Sequence, residues 1–560
     1  KVMRRVVVSL VRYLLREASR PTPFGLFAGV ADLEFSDAAN TDTNAVEVRW
    51  GEAHRAVARA DDEWLNQVIT ELEACTPLLQ RLPVVISTLR QLRGDRLTVP
   101  SGSGHVEIRY SPAVRAVEAA ASTPIVFEDL AASLAERFPD VAAPRIVALL
   151  TELLHRRFLV SCLRAPATTV DALGHLVEQL QRVGAAQIVP IRATVAELEA
   201  VHAELRCHND ADPADRAVLR DRLEQRMRAL ARVQRSPLVV DLRLDCTVRL
   251  PGSVARDMAA AASALMRLTA QPGGWATWRE YHAAFLDRYG TGVLVPISEV
   301  LDPGTGLGYP GGYPGAVMPE PAAGVELQNR PAGRDAGLLA LAHRAIIDGT
   351  GEVVLDDSTI DELGADMQQV RIPPHVEISA RIHAVDRAAL QRGAYTLTVA
   401  PARAAGTMTG RFTGPCSPLA RVFARVPTAV RGAVAAQVSV PMAYPHADNV
   451  ARTHLFLPHL IALGEHRAID AHDEHDKDGN GDEPCLITVD DLAITADFDQ
   501  LYLVSRRLGR VVEPHVFHAL RLDKQPPPLA RFLVALVRGR TATYRSEERR
   551  VGKECRSRWS

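Results

Sequence analysis

Residues 16–29 read REASRPTPFGLFAG, and this stretch decides how the rest of the chain is interpreted. Arg16 and Arg20 stand four apart, so they share one face of a helix. A helix predicted over Val2–Ala18 must stop near Arg20, because the residue before Pro21 is pushed out of the helical region. Thr22 then sits between two prolines in a stiff turn. Two guanidiniums and a hydroxyl converge at a helix end. Neighbouring cations repel unless an anion lies between them, and arginine forks suit carboxylate or phosphate oxygens. Pairing with local acids, or simple hydration, explains the same residues. The chemistry of the stretch leaves both readings open.

The surrounding composition is that of an ordinary globular protein. The chain has 560 residues, 47% apolar and 24% charged, with a net charge of −2 and a pI near 6.9. That length corresponds to roughly three to four domains. With so little net charge, any nucleic-acid partner must be held by a local patch. The seven cysteines (Cys75, Cys162, Cys207, Cys246, Cys416, Cys485 and Cys555) form no CxxC, which predicts reduced thiols in a cytoplasm. The apolar run Val6–Leu15 is broken by Arg12 and is far shorter than the roughly 20 residues a bilayer needs. Lys1 is not an initiator Met, and the first helix has no cap, so upstream residues are expected. Residues 545–560, RSEERRVGKECRSRWS, match an in-frame translation of a sequencing adapter and are expected to be read-through.

Periodicity predicts an α+β chain with no regular βαβ repeat. A strand is predicted at Leu26–Leu33 and helices over residues 62–74, 170–233 (with Pro213 in a first turn), 252–268 and 275–289. Residues 95–164 alternate differently. Strands Arg96–Val99 and His105–Tyr110 precede helices near Pro112–Ala121, Phe127–Glu136 and Ala143–His155, and a strand Phe158–Leu163 follows. This order resembles a winged helix. The helix Ala143–His155 has few basic residues, so a peptide added at a strand edge suits the unit better than DNA. Residues 303–324 are rich in Gly and Pro and read as loop. The predicted organisation is 1–94, 95–164 and 165–544, with 545–560 outside the fold.

The run SRPTPFGLFAGV at residues 19–30 closely resembles the signature of lantibiotic dehydratases. In that family the corresponding arginines and threonine are required for glutamylation, so the resemblance implies site roles for Arg16, Arg20 and Thr22. RADDEWL at 59–65 resembles a second block and implies a role for Asp61, with Asp62 the alternative register. A helix N-terminal Asp favoured by the dipole explains Asp61 equally. VVDL at 239–242 implies a role for Asp241. An Asp in an apolar strand is costly unless paired, so a buried partner such as an arginine is expected. GTMTGRF at 406–412 implies a role for Arg411, with glycines that permit close backbone approach to a ligand. Residues 285–290, 301–308 and 446–450 (HADNV) also resemble family blocks, without assigned roles. The resemblance covers residues 1–544.

It implies a multi-subdomain glutamylation domain of lantibiotic-dehydratase type, with a winged-helix-like leader-peptide-binding subdomain embedded at 95–164. The implied activity is transfer of glutamate from glutamyl-tRNA to Ser and Thr of a ribosomally made precursor peptide, without a cofactor. In full-length relatives a further domain eliminates glutamate to leave dehydroalanine or dehydrobutyrine, and residues 1–544 are expected to carry the glutamylation half only. Implied partners are glutamyl-tRNA and a leader-bearing precursor peptide. A cyclase or elimination partner and a homodimer are compatible with them. Two other readings fit the residues: a tRNA-dependent peptide aminoacyl ligase, and a non-catalytic peptide-binding scaffold around 95–164. Other signals carry less. Asp476–Gly481 imitates an EF-hand start but has Ile487 where Glu belongs. His472 and His475 lack HExxH, and no Walker A sequence occurs. The basic stretch Arg216–Arg235 suits tRNA phosphates or a solvated face.

Overall fold

A two-stranded antiparallel ribbon, Arg55–Ala60 against Leu238–Arg243, organises the centre of the molecule. Side chains alternate across a strand. Ala56, Ala58 and Ala60 therefore face the core, while Arg55, Val57 and Arg59 face the other way. The register places Asp241 opposite Val57 and Arg243 opposite Arg55, so Arg55, Arg59, Asp241 and Arg243 share one face. The computed structural model describes residues 2–19, 25–36, 46–102, 104–322, 333–364, 370–467 and 484–543, the side chains of residues 2 and 16–19 excepted.

Beyond the ribbon the chain enters helix Asp62–Glu73, whose Trp64 is fully buried and donates its indole N–H to the Met227 carbonyl at 2.8 Å. A single hydrophobic core runs from Ala58 to Leu238. It gathers helices Ala172–Arg182, Arg192–Asp210 and Arg216–Leu230, together with helices Pro112–Ala120, Phe127–Arg137 and Ala143–His155. Strands Arg96–Ser101 and Gly104–Arg109 form a meander with Gln91–Arg93. Strand Leu159–Ser161 pairs with Pro83–Ile86, which lies upstream of residue 95 and also pairs with Ile125–Val126. Residues 95–164 thus share their core with the elements on either side.

A second core is built on a seven-stranded mixed sheet. Its order is Val295–Pro296, Leu492–Ala496, Leu501–Ser505, Arg510–His515, Val434–Ser439, His459–Ala462 and Cys485–Ile487. The last four are mutually parallel neighbours and the first four pair antiparallel. Helices Ala276–Tyr289 and Pro528–Arg538 supply Tyr281, Phe285, Phe532 and Leu533 to this core. The α+β expectation holds.

Two local expectations change. Residues 26–33 are not one strand. A turn at Gly25 (φ +54°) precedes a lone bridge at Val30, and the strand proper is Leu33–Phe35. Pro213 falls in the turn before helix Arg216–Leu230, whose N-cap is Asp215. The basic face of that helix is largely occupied by acids: Arg226 bridges Glu197 at 2.7 Å and Glu204 at 2.7 Å, and Arg228 bridges Glu224. The Asp476–Gly481 stretch, His472, His475 and residues 545–560 lie outside the described residues. The six described cysteines are free thiols. Among the described residues no helix is long and apolar enough to cross a membrane.

Histidines in the second core set an acid limit on stability. Burial pushes His375 down to about 4 and His518 down to about 3, the cations of Arg538 and Arg403 acting in the same direction. His515, beside His375, is also pushed well below its ordinary value by burial. A base with a depressed folded pKa contributes stability above its unfolded pKa and loses it as pH falls through the folded value. The unfolding midpoint is therefore expected to drop between pH 6.5 and 4. A His518→Phe variant should show a shallower drop, read by urea titration at each pH; an unchanged slope removes His518 from the cause.

Candidate active site

Asp241 lies at the focus of the polar face of the ribbon. Arg59 donates Nη2 to its Oδ2 at 2.9 Å, and Arg411 donates Nη2 to Oδ1. All three side chains are mostly buried, with 13–18% exposure. Arg59 reaches Asp241 diagonally across the ribbon, the spacing that brings long side chains together on one face. The arginine partner expected for Asp241 is thus doubled. Burial lowers the basicity of Arg411, opposed by the Asp241 charge and assisted by Arg59. The Arg411 Nε is buried with no hydrogen-bond partner.

Arg411 is delivered by residues 406–412. The glycines there approach the protein itself, not a ligand. A Cβ at Gly406 (φ +73°) would stand 2.3 Å from the Phe517 ring, and one at Gly410 would stand 2.4 Å from the Phe517 carbonyl oxygen. That corrects the expectation of a ligand-facing glycine loop. Glu377 fastens the turn by accepting from the Met408 N–H at 2.8 Å and from the Thr409 hydroxyl at 2.9 Å.

Asp61 caps helix Asp62–Glu73, accepting from the backbone N–H of Glu63 at 2.9 Å and of Trp64 at 3.1 Å. The capping reading of Asp61 is therefore realised. Its other oxygen accepts from Asn449 Nδ2 at 2.6 Å, while the Asn449 oxygen accepts the Asp62 N–H at 2.9 Å. The Asn449 carbonyl also accepts from Arg59 Nη2 at 3.5 Å, so one asparagine ties Asp61 to the Asp241 cluster. Burial raises the Asp61 pKa, against the lowering effect of these bonds.

The neighbouring Asp62 has a different environment. Arg452 Nε donates to its Oδ1 at 2.8 Å, and Arg452 Nη1 donates to the Pro166 carbonyl at 2.8 Å. This pair is buried and joins the first core to helix Pro445–Ala451 of the second. Asp448 on that helix accepts the Met442 N–H at 2.9 Å, and burial, then the Asp62 charge, raises its pKa.

Arg243 and His454 complete the cluster. Burial lowers the Arg243 pKa, opposed by Asp241 and Asp32. His454 is half-buried and is lowered by burial and by the charges of Arg243 and Arg59. Sequence reasoning assigned no role to Arg59, Arg243, Asn449, Arg452 or His454. Arg243 had a usable signal, standing two residues from Asp241 and hence on its face. Asn449 stood inside the HADNV block noted without a role, whereas Arg452 lies nearly 400 residues from Asp62 and gave none.

The side chain of Arg16, and all of Arg20 and Thr22, lie outside the described residues. The continuation of their motif is described. Val30 N–H donates to the Leu242 carbonyl at 3.0 Å, and Leu244 N–H donates to the Val30 carbonyl at 2.8 Å. A Cβ on Gly29 would stand 2.8 Å from the Leu242 oxygen, so the backbone there can run against the strand of Asp241 only as glycine.

A mixed fold with a guanidinium cluster around one carboxylate defines a polar, anion-oriented centre between two cores. The sequence over residues 1–546 matches the family model described as "Lantibiotic dehydratase, N terminus", and the chain belongs to that family. It resembles the subtilin biosynthesis protein SpaB of Bacillus subtilis, with 26% identity over 56% of this chain and 30% of the relative. It also resembles the epidermin biosynthesis protein EpiB of Staphylococcus epidermidis, with 23% identity over 55% of this chain and 31% of the relative. Among solved structures, the tRNA-dependent lantibiotic dehydratase MibB from Microbispora sp. 107891 superposes with a TM-score of 0.83 at 30% identity. That match covers 97% of this chain and 52% of MibB. The glutamylation domain TbtB from thiomuracin biosynthesis shares the fold, with a TM-score of 0.58 at 16% identity over 96% of this chain and 67% of TbtB. The chain spans about a third of the curated relatives and about half of MibB.

Proposed function

We propose that this chain transfers a glutamyl group from glutamyl-tRNA to Ser and Thr side chains of a ribosomal precursor peptide, the first half of dehydration. The likeness to MibB, described as tRNA-dependent, carries this reading across nearly the whole chain. The arginine cluster at Asp241 supports it, because the donor brings both phosphates and a carboxylate. The peptide hydroxyl oxygen attacks the glutamyl ester carbonyl. A C–O bond to the peptide forms, the bond to the tRNA 3′ oxygen breaks, and the hydroxyl proton ends on that oxygen. The task of the protein is to hold both polymers in line and to stabilise the developing oxyanion. Arg16, Arg20, Thr22 and Arg411 are proposed to face the donor. Asp241 and Asp61 fix arginines and the helix start. The donor places the reaction in the cytoplasm.

The test mixes protein, precursor peptide, tRNA, glutamyl-tRNA synthetase, glutamate and ATP, then weighs and fragments the peptide. One glutamyl residue per modified Ser or Thr is the expected product. Addition at the peptide C-terminus identifies a peptide aminoacyl ligase instead, and unmodified peptide with folded protein identifies a scaffold. Activity should fall steeply with added salt, since phosphate contacts release counterions.

A further inference from the structure

We propose that Arg243 is a donor-binding residue, receiving an anionic oxygen of the charged tRNA end between Asp241, Arg411 and His454. This rests on the glutamyl-transfer reading. Arg59 and Arg411 both close on Asp241, leaving that carboxylate saturated by two guanidiniums. Arg243 is partly buried on the same face. It feels the charges of Asp241 and Asp32, yet among the described residues it closes no ion pair or hydrogen bond with either. Asp32 instead accepts the Ser417 hydroxyl at 3.0 Å.

A guanidinium removed from water is costly unless paired. Three arginines around one aspartate leave an excess of positive charge, and the unpartnered Arg411 Nε adds an unused donor. The ring nitrogens of His454 make no hydrogen bond among the described residues, and burial, assisted by the charges of Arg243 and Arg59, lowers its pKa. The position is also fixed from the other side. Val30, the residue after the Arg16–Gly29 motif, forms its β-bridge with the Arg243 backbone, so the end of that motif reaches this strand position. An arginine fork fits either the glutamate carboxylate or a phosphate of the tRNA 3′ end.

The experiment compares the full chain with Arg243→Gln and Arg243→Lys. Single-turnover glutamylation is followed against glutamyl-tRNA concentration, and binding of uncharged tRNA is measured alongside. The expected result is a rise in KM for glutamyl-tRNA of roughly 10- to 100-fold in Arg243→Gln, the worth of one charge-assisted hydrogen bond. Lys should recover only part of it, and the unfolding midpoint should not move. Unchanged affinity for uncharged tRNA assigns the contact to the glutamate carboxylate; a matching loss assigns it to phosphate. Wild-type KM and kcat in Arg243→Gln overturn the inference alone. A wild-type chain that neither binds nor uses glutamyl-tRNA overturns the parent reading, and this inference with it.

Discussion

Asp241→Asn is expected to cut the rate of peptide glutamylation by about 100-fold or more, the scale of losing one preorganised electrostatic element. The reason is geometric. The two oxygens of Asp241 each hold one guanidinium, Oδ2 that of Arg59 at 2.9 Å and Oδ1 that of Arg411. An asparagine keeps one acceptor and presents an N–H₂ where the other arginine must bond. Two donors then face each other, and Arg411 loses its only ion-pair partner among the described residues. Arg59 keeps a second contact, to the Asn449 carbonyl, so it should move less. The loss should therefore resemble that of Arg411→Ala, and the double variant should be little worse than either single one, because groups acting as a unit are not additive. Single-turnover rates at saturating glutamyl-tRNA provide the measurement. A rate within about threefold of wild type would remove Asp241 from the site.

Arg452→Met is expected to destabilise the fold by about 3–5 kcal/mol, the cost of stranding a buried charge. Asp62 is 6% exposed and relies on two nitrogens of Arg452, Nε at 2.8 Å and Nη2 at 2.7 Å. The same side chain donates to the carbonyls of Ala165, Pro166 and Thr169, which lose a partner together. Asp448 lies close enough for its pKa to be raised by the Asp62 charge and lowered by Arg452. Without Arg452 the Asp448 carboxyl loses a cation that lowers its pKa and is pushed further up. A raised acid gives stability at low pH that is lost as pH rises through its folded value, so the deficit should grow as pH rises through about 8, where Asp448 titrates with Arg452 in place. Adding Asp62→Leu should restore part of the loss, since replacing a whole buried pair costs far less than breaking it. Urea unfolding of the three variants is the measurement. A single-variant deficit under about 1 kcal/mol would show that water reaches Asp62.

How much of this was legible in sequence depends on range. The cap at Asp61, the helix Asp62–Glu73 and the strand carrying Asp241 follow from local rules, namely a short acid before an apolar helical repeat and an apolar alternation. The arginine partner for Asp241 was required by the cost of an unpaired charge, though its number was not given. The glycines at 406 and 410 misled, because composition marks close approach without saying what approaches; the partner is Phe517, more than 100 residues later.

The sequence by itself determined the family, the α+β class and which short segments carry unusual chemistry. Those depend on contiguous residues and on periods of two and 3.6. The tertiary structure alone decided that Asn449 and Arg452 clamp Asp61 and Asp62. It alone gathered Arg59, Arg243 and Arg411 around one carboxylate. Such pairings join segments hundreds of residues apart, and hydrogen bonds and ion pairs act only over a few ångströms. Nothing in a linear string states which distant residues the packed cores will bring within that reach.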